Sequence, residues 1–159
     1  MVSIKVIAVG SLTEKFYQNA QDEFLKRLSR FAKVTVLEIK DEKAPQKTSE
    51  KMRQNIMEAE AKRALEKIAP SDYVIALDLG GKMLTSEELA AKMEELMQQS
   101  DSLVFVIGGS LGLHSSILSR ANFRLCLSKM TFTHNMARIF LLEQLYRGFK
   151  IINGEPYHK

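Results

Sequence analysis

Short apolar runs alternate with longer amphipathic stretches along this chain, and the alternation lays out its elements. The densest run is Leu103 to Ile107, five apolar residues that enter a Gly-Gly-Ser-Leu-Gly turn at 108–112. A continuous run with β-branched and aromatic members predicts a strand buried on both faces. Ser3 to Val9, closed by Gly10, predicts a first strand. Glu14 to Phe31 has helical spacing, with Phe16, Ala20, Phe24, Leu28 and Phe31 mostly on one stripe. Val34 to Lys40 alternates Val34, Val36 and Glu38 against Thr35, Leu37 and Ile39, a second strand. Asp41 to Thr48 is polar and holds Pro45, so a mobile loop is expected. Ser49 is placed to cap a helix running to about Ile68, with Met52, Ile56, Ala59 and Arg63 in register, before Pro70 and Ser71 end it.

Asp72 to Leu77 predicts a third strand, with Asp78-Leu-Gly-Gly-Lys as its exit turn. Thr85 or Ser86, with Glu88, resembles a capping box for a helix to about Gln99 that carries Leu89, Met93, Leu96 and Met97. Beyond the glycine turn, His114 to Ser119 reads as a short helix and Asn122 to Leu127 as a short strand. His134 to Phe149 is a strong helix whose apolar stripe (Met136, Ile139, Phe140, Leu142, Leu145, Tyr146, Phe149) is wider than one sheet needs. A second subunit is the expected cover. Gly154 to Lys159 shows no periodicity. The whole pattern predicts one α/β domain over residues 1–159, a mainly parallel sheet flanked by helices.

Composition narrows the class. At 159 residues, 45% hydrophobic and 26% charged, the chain can bury a full core and matches neither a disordered nor a membrane protein. No apolar run approaches the roughly 20 residues that span a bilayer. The N-terminal apolar stretch is too short for a signal peptide and reads as strand. A single cysteine, Cys126, excludes an internal disulfide and any cysteine metal cluster. A cytosolic, cytoplasmic protein is the simplest expectation. Charge is uneven: residues 120–159 hold seven of the Lys and Arg against Glu143 and Glu155, whereas the rest is close to neutral. A positive end on a neutral body suits an anionic partner such as nucleic acid, or is simply a solvated basic face.

The candidate chemistry centres on the glycine turn. It lacks the Gly-x-x-x-x-Gly-Lys-Ser/Thr of a nucleotide P-loop and the Gly-x-Gly-x-x-Gly of a dinucleotide fingerprint. Gly80-Gly81 follows the other strongly apolar strand. Two buried strands ending in glycine turns, side by side at one sheet edge, could enclose a small molecule with backbone N–H and C=O groups, since ligands of open parallel sheets sit beyond the carboxyl ends of strands. His114, His134 and His158 lack metal-ligand spacing, so no metal is expected. Ser110 is not in a Gly-x-Ser-x-Gly elbow, and Cys126 reads as core. An enzyme built this way positions two reactants without a covalent intermediate. The last residues are either a disordered end or, through Tyr157 and His158, a source of base stacking and proton transfer.

Taken together, Leu77-Asp78 with the following Gly-Lys, Val106-Ile107-Gly108-Gly109-x-x-Gly112, Leu127-Ser-x-Met-Thr-Phe-Thr-His134, Leu145-Tyr-Arg147 and Pro156-Tyr-His158 resemble the RlmH family. These are large-subunit ribosomal RNA pseudouridine N3-methyltransferases of the SPOUT superfamily, and the resemblance runs from the first strand to the tail. It implies a deep C-terminal trefoil knot and S-adenosyl-L-methionine held at Leu77, Gly108, Leu127, Ser128, Lys129, Met130, Thr131 and Phe132. It also implies catalytic roles for His134, Tyr157 and His158, and substrate binding by Arg147 and Lys159. A homodimer with its site across the interface, acting on ribosomal RNA in the ribosome without metal or membrane, completes the expectation. The chain departs from the family pattern where Thr133 and Asn135 flank His134 and where lysine, which lacks the bidentate fork of arginine, comes last. The competing readings are a non-catalytic RNA-binding or ribosome-associated module and a Rossmann-like enzyme acting on small molecules.

Overall fold

A computed structural model describes residues 1–159. Five strands, β1 (Ser3–Val9), β2 (Lys33–Ile39), β3 (Tyr73–Met83), β4 (Ser102–Ile107) and β5 (Phe123–Cys126), form one sheet in the order β2-β1-β4-β3-β5. All four strand pairings are parallel. The helices are α1 (Lys15–Leu28), α2 (Glu50–Leu65), α3 (Ser86–Gln99), α4 (Ser115–Arg120) and α5 (His134–Ile152).

The central strand β4 shows why the sheet is covered on both sides. Leu103, Phe105 and Ile107 join one core with Leu89, Met93, Leu142 and Leu145, beneath α1, α3 and α5. Val104 and Val106 point the other way, into a core with Ala61, Ala64 and Ile117 from α2 and α4. Period-2 alternation of uniformly apolar residues is what a doubly buried strand requires. No helix is long and apolar enough to cross a membrane.

The expected capping box of α3 forms on Thr85: its hydroxyl accepts from Glu88 N at 3.1 Å, and Glu88 Oε1 accepts from Thr85 N at 2.9 Å. Several other expectations are corrected. Gly80-Gly81 is no exit turn, because β3 continues to Met83 past a register shift between Leu77 and Lys82 and pairs again with β5. A Cβ on Gly81 would lie 2.6 Å from the carbonyl of Arg124, so glycine here permits close strand approach. The β3–β4 pair is side by side as expected, but inside the sheet, with β5 at the edge. On α2 the buried residues are Glu60, Ala61 and Ala64, and Met52 is exposed. Phe16 leaves the expected core stripe of α1 and stands 64% exposed. In α5 the buried residues are Arg138, Leu141, Leu142, Leu145, Gly148 and Phe149, while Phe140 faces outward.

Candidate active site

The carboxyl ends of β3, β4 and β5 open into one pocket of about 810 Å³. Three segments wall it: Leu77 to Leu79, the glycine turn from Gly108 to Gly112, and the loop from Leu127 to Thr133, with His134 and Ala137 of α5 behind them. Each wall is held in place by its own local chemistry. Gly112 takes φ +88° and its N–H bonds Gly109 O at 3.1 Å, which closes the turn. A side chain at Gly108 would meet the carbonyl carbon of Gly112 at 2.7 Å, so the two limbs touch backbone to backbone. In the third wall, Ser128 Oγ accepts from Met130 N at 3.0 Å and Cys126 Sγ donates to Ser128 O at 3.0 Å. Thr133 then caps α5 through Met136 N at 3.3 Å.

Of the residues expected to hold a cofactor, Leu77, Gly108, Leu127, Ser128, Met130, Thr131 and Phe132 all line this pocket. Lys129 does not: it lies on the same loop and is exposed. The lining is chiefly apolar side chains with backbone amides and carbonyls between them. Its one carboxylate, Asp78, is engaged by Arg124 through Nε at 2.9 Å and Nη2 at 2.6 Å. Room, apolar walls and free backbone groups suit a nucleoside-bearing ligand of drug-like size.

His134 stands at the rim. Its Nε2 would lie 3.7 Å from a Cβ built on Gly10, where the chain leaves β1 with φ +92°. Burial lowers its pKa and the neighbouring Arg138 lowers it further, against smaller opposing effects of Asp41 and Glu14. The ring is therefore neutral at physiological pH and free to accept a proton.

The family model described as predicted SPOUT methyltransferase matches residues 2–158. The chain is a member of that family. Among curated relatives, the ribosomal RNA large subunit methyltransferase H of Clostridium beijerinckii is 50% identical over 99% of this chain and 100% of its own length. The protein of the same name from Alkaliphilus oremlandii is 49% identical over the same shares. A solved structure, that of a probable methylase family protein from Haemophilus influenzae Rd KW20, overlays with a TM-score of 0.55 at 13% identity. It covers 98% of this chain and 70% of the other, a likeness of fold alone.

In this SPOUT methyltransferase the tail folds back onto α5 and α3. Tyr157 Oη donates to Glu143 Oε1 at 3.0 Å, and the Tyr157 and Tyr146 rings meet edge-on at 4.9 Å. His158 sits between Arg147 Nη1, 3.1 Å from its Nδ1, and Glu87 Oε1, 2.6 Å from its Nε2. A guanidinium only donates and an ionised carboxylate only accepts, which fixes Nδ1 as acceptor and Nε2 as donor. Glu155 pairs with Arg30 and Lys150, which hold its carboxyl at about 2. Lys159 is exposed.

One protomer does not bring all the expected residues together. Glu143 and Arg147 follow His134 by nine and thirteen positions, roughly 14 and 20 Å along the helix axis and near its opposite face. His134 joins the pocket, whereas Arg147, Tyr157 and His158 form a second cluster with Glu143 and Glu87. Sequence reasoning missed both carboxylates. The four-residue step from Glu143 to Arg147 was a readable signal; nothing in the sequence marks Glu87 as the partner of a residue 71 positions away. No group of three or more His, Cys, Asp or Glu is arranged to hold a metal ion.

Proposed function

We propose that this chain is the S-adenosyl-L-methionine-dependent methyltransferase of large-subunit ribosomal RNA, acting on N3 of a pseudouridine in the assembled ribosome of the cytoplasm. The observation that carries the reading is the pocket itself: three loops at adjoining strand ends form one apolar, backbone-lined cavity with a neutral histidine at its rim. The relatives that share half of this sequence bear the name of that activity.

In this reading the Leu77, Gly108 and Leu127–Phe132 walls hold the cofactor's adenosine, and a bound sulfonium supplies an electrophilic methyl group. Such a cofactor would supply the methyl group to N3, which must give up its own proton to receive it. His134, neutral and partly buried, accepts that proton or the hydrogen bond that precedes its loss. The sulfonium is already a good leaving group, so catalysis consists of alignment and proton removal.

Arg147, Tyr157, His158 and Lys159 reach this pocket only from a second copy, which makes the homodimer part of the site. Leu79, Met130 and Phe132, exposed around the pocket, and Phe140, 4.9 Å from Phe132, supply an apolar rim for that contact. The deep trefoil knot belongs to the same reading, with the chain beyond β4 threaded to make the third wall.

The test is methyl transfer from labelled S-adenosyl-L-methionine to ribosomes of a strain lacking the gene, followed by location of the modified base. Label on N3 of a large-subunit pseudouridine is the expected result. Folded, dimeric protein that binds ribosomes in a salt-dependent manner but leaves them unlabelled would instead make it a non-catalytic RNA-binding module. Removing Tyr157–Lys159 is expected to leave cofactor binding intact and to lower transfer about a hundredfold.

A further inference from the structure

Phe16 is the large side chain whose position the hydrophobic pattern misplaces most. The pattern assigns it to the core stripe of α1, yet it is 64% exposed, while Phe24 and Phe31 of the same stripe pack on the core. Its ring lies 4.4 Å from that of Tyr17, inclined at 48°, so at the first turn of α1 an exposed ring is backed by a half-buried one.

The segment that leads to that surface starts beside the active site. The segment from Gly10 to Phe16 leaves the carboxyl end of β1 and is fixed to its surroundings at several points. Arg138 Nη2 donates to Gly10 O at 3.2 Å, and Gly10 N donates to Ile39 O at 2.8 Å. Leu12 N donates to Glu38 Oε2 at 3.3 Å, and Gln18 Nε2 returns to Leu12 O at 2.7 Å. A side chain at Gly10 would meet His134, and Glu14, which precedes α1, is near enough to His134 to act on its proton affinity. Phe16 is thus held six residues beyond Gly10 on a short, braced segment that starts beside His134. Lys15 beside it and Lys40 at the end of the neighbouring β2 are exposed and supply positive charge. Glu14 and Asp41 offset part of that charge, which favours a ligand read through its ring face over one read through phosphate alone.

We propose that Phe16, backed by Tyr17, is a stacking platform for an unpaired nucleobase of the RNA substrate, next to the base presented to His134. A base drawn to the pocket leaves its neighbours unstacked, and an exposed aromatic ring replaces the lost face-to-face contact. Because every base has a π-face, the platform supports binding without dictating sequence. This rests on the RNA methyltransferase reading above.

The experiment compares wild type, Phe16→Ala, Phe16→Leu and Phe16→Tyr. Three quantities are read: ribosome binding, methyl transfer to ribosomes lacking the modification, and calorimetric binding of S-adenosyl-L-methionine. The expected result is a rise of about tenfold in KM for ribosomes with Phe16→Ala and Phe16→Leu. Phe16→Tyr should recover wild-type behaviour, and cofactor affinity should not change. Wild-type transfer by Phe16→Ala overturns the proposal. So does rescue by Phe16→Leu, which would make the contact merely apolar, and so does a change in dimer mass, which would assign Phe16 to the subunit interface. If even wild type transfers no methyl, ribosome binding decides: weakening by Phe16→Ala and Phe16→Leu but not Phe16→Tyr keeps the platform while the methyl-transfer reading falls.

Discussion

Tyr157 reaches back along α5 to place its hydroxyl 3.0 Å from Glu143 Oε1, the same oxygen that accepts Arg147 Nη2 at 2.6 Å and Nε at 3.1 Å. One carboxylate oxygen therefore gathers a phenol and a guanidinium into a fixed array, with Arg147 also 4.7 Å over the Tyr157 ring. Burial and then the hydrogen bond to Glu143 raise the Tyr157 pKa, so the group is a phenol at neutral pH and a hydrogen-bond donor. Glu143→Gln should bring the phenol's titration down toward its usual value near ~10. Difference absorbance of phenolate in the variant against wild type measures this. In the proposed reaction kcat should fall about tenfold with cofactor binding unchanged, because the array loses its common anchor.

Gly108→Ala tests whether the glycine turn is a cofactor wall or a structural bend. The new Cβ would sit 2.7 Å from Gly112 C and 2.8 Å from its O, both backbone atoms that cannot swing aside. The turn must open, and S-adenosyl-L-methionine affinity by calorimetry should drop at least about tenfold, the effect expected when pocket-lining backbone moves. Gly148→Ala is the contrasting variant. Its Cβ would meet Met93 Sδ at 2.6 Å, at the packed face between α3 and α5, where a flexible side chain can yield. That substitution should lower Tm while leaving cofactor affinity as it was.

How much of this was legible in the sequence follows from where the determining contacts lie. The most apolar strands, β1 and β4, end where the pattern places them, because the burial of both faces at their carboxyl ends leaves no competing arrangement. The three loops of the pocket were legible as residues but not as a surface: Gly108, Leu77 and Leu127 meet only through the β4–β3–β5 order. The continuation of β3 through Gly80-Gly81 was hidden because paired glycines ordinarily signal a turn, whereas here they admit the Arg124 backbone. The tail has no periodicity to read. Its position is set by charge pairs to α3, α5 and the turn after α1, with Arg30 and Glu155 lying 125 positions apart. Phe16 fits a helical stripe by spacing alone, and spacing cannot tell that α1 begins before the core does.

Arg138 is 1% exposed, an unusual place for a guanidinium, and its position is explained by three acceptors: Glu38 at 2.7 Å, Gln21 at 3.3 Å and Gly10 O at 3.2 Å. Its Nε has no partner. Glu38→Ala would leave that buried charge without its counter-ion. The Glu38 side chain is 41% exposed, so the cost is set below that of a fully buried pair, at about 2 kcal/mol. Denaturant unfolding should show the loss as a lower midpoint with unchanged slope. Glu38→Ala combined with Arg138→Met should recover part of it, since an apolar side chain of similar volume removes the unpaired charge altogether.

His134 should write its own signature into the pH dependence of stability. Burial, then Arg138, holds its folded pKa below the usual 6.5. Above pH 6.5 the ring is neutral in both the folded and the unfolded chain, so it contributes no pH dependence. As pH falls below 6.5 the unfolded chain takes up the proton first, which draws the equilibrium toward unfolding until the folded pKa is passed. Stability linked to this residue is therefore full above the unfolded pKa and declines toward acid. Melting curves between pH 8 and about 5 should show a steeper acid-side fall in Tm for wild type than for His134→Gln, which cannot take up the proton. Parallel curves would show that the ring titrates as it does in water. The same shift extends the pH range over which the neutral imidazole faces the pocket, so in the proposed reaction the acid limb of kcat/KM should lie below pH 6.5 and respond to Arg138, the charge that reinforces burial.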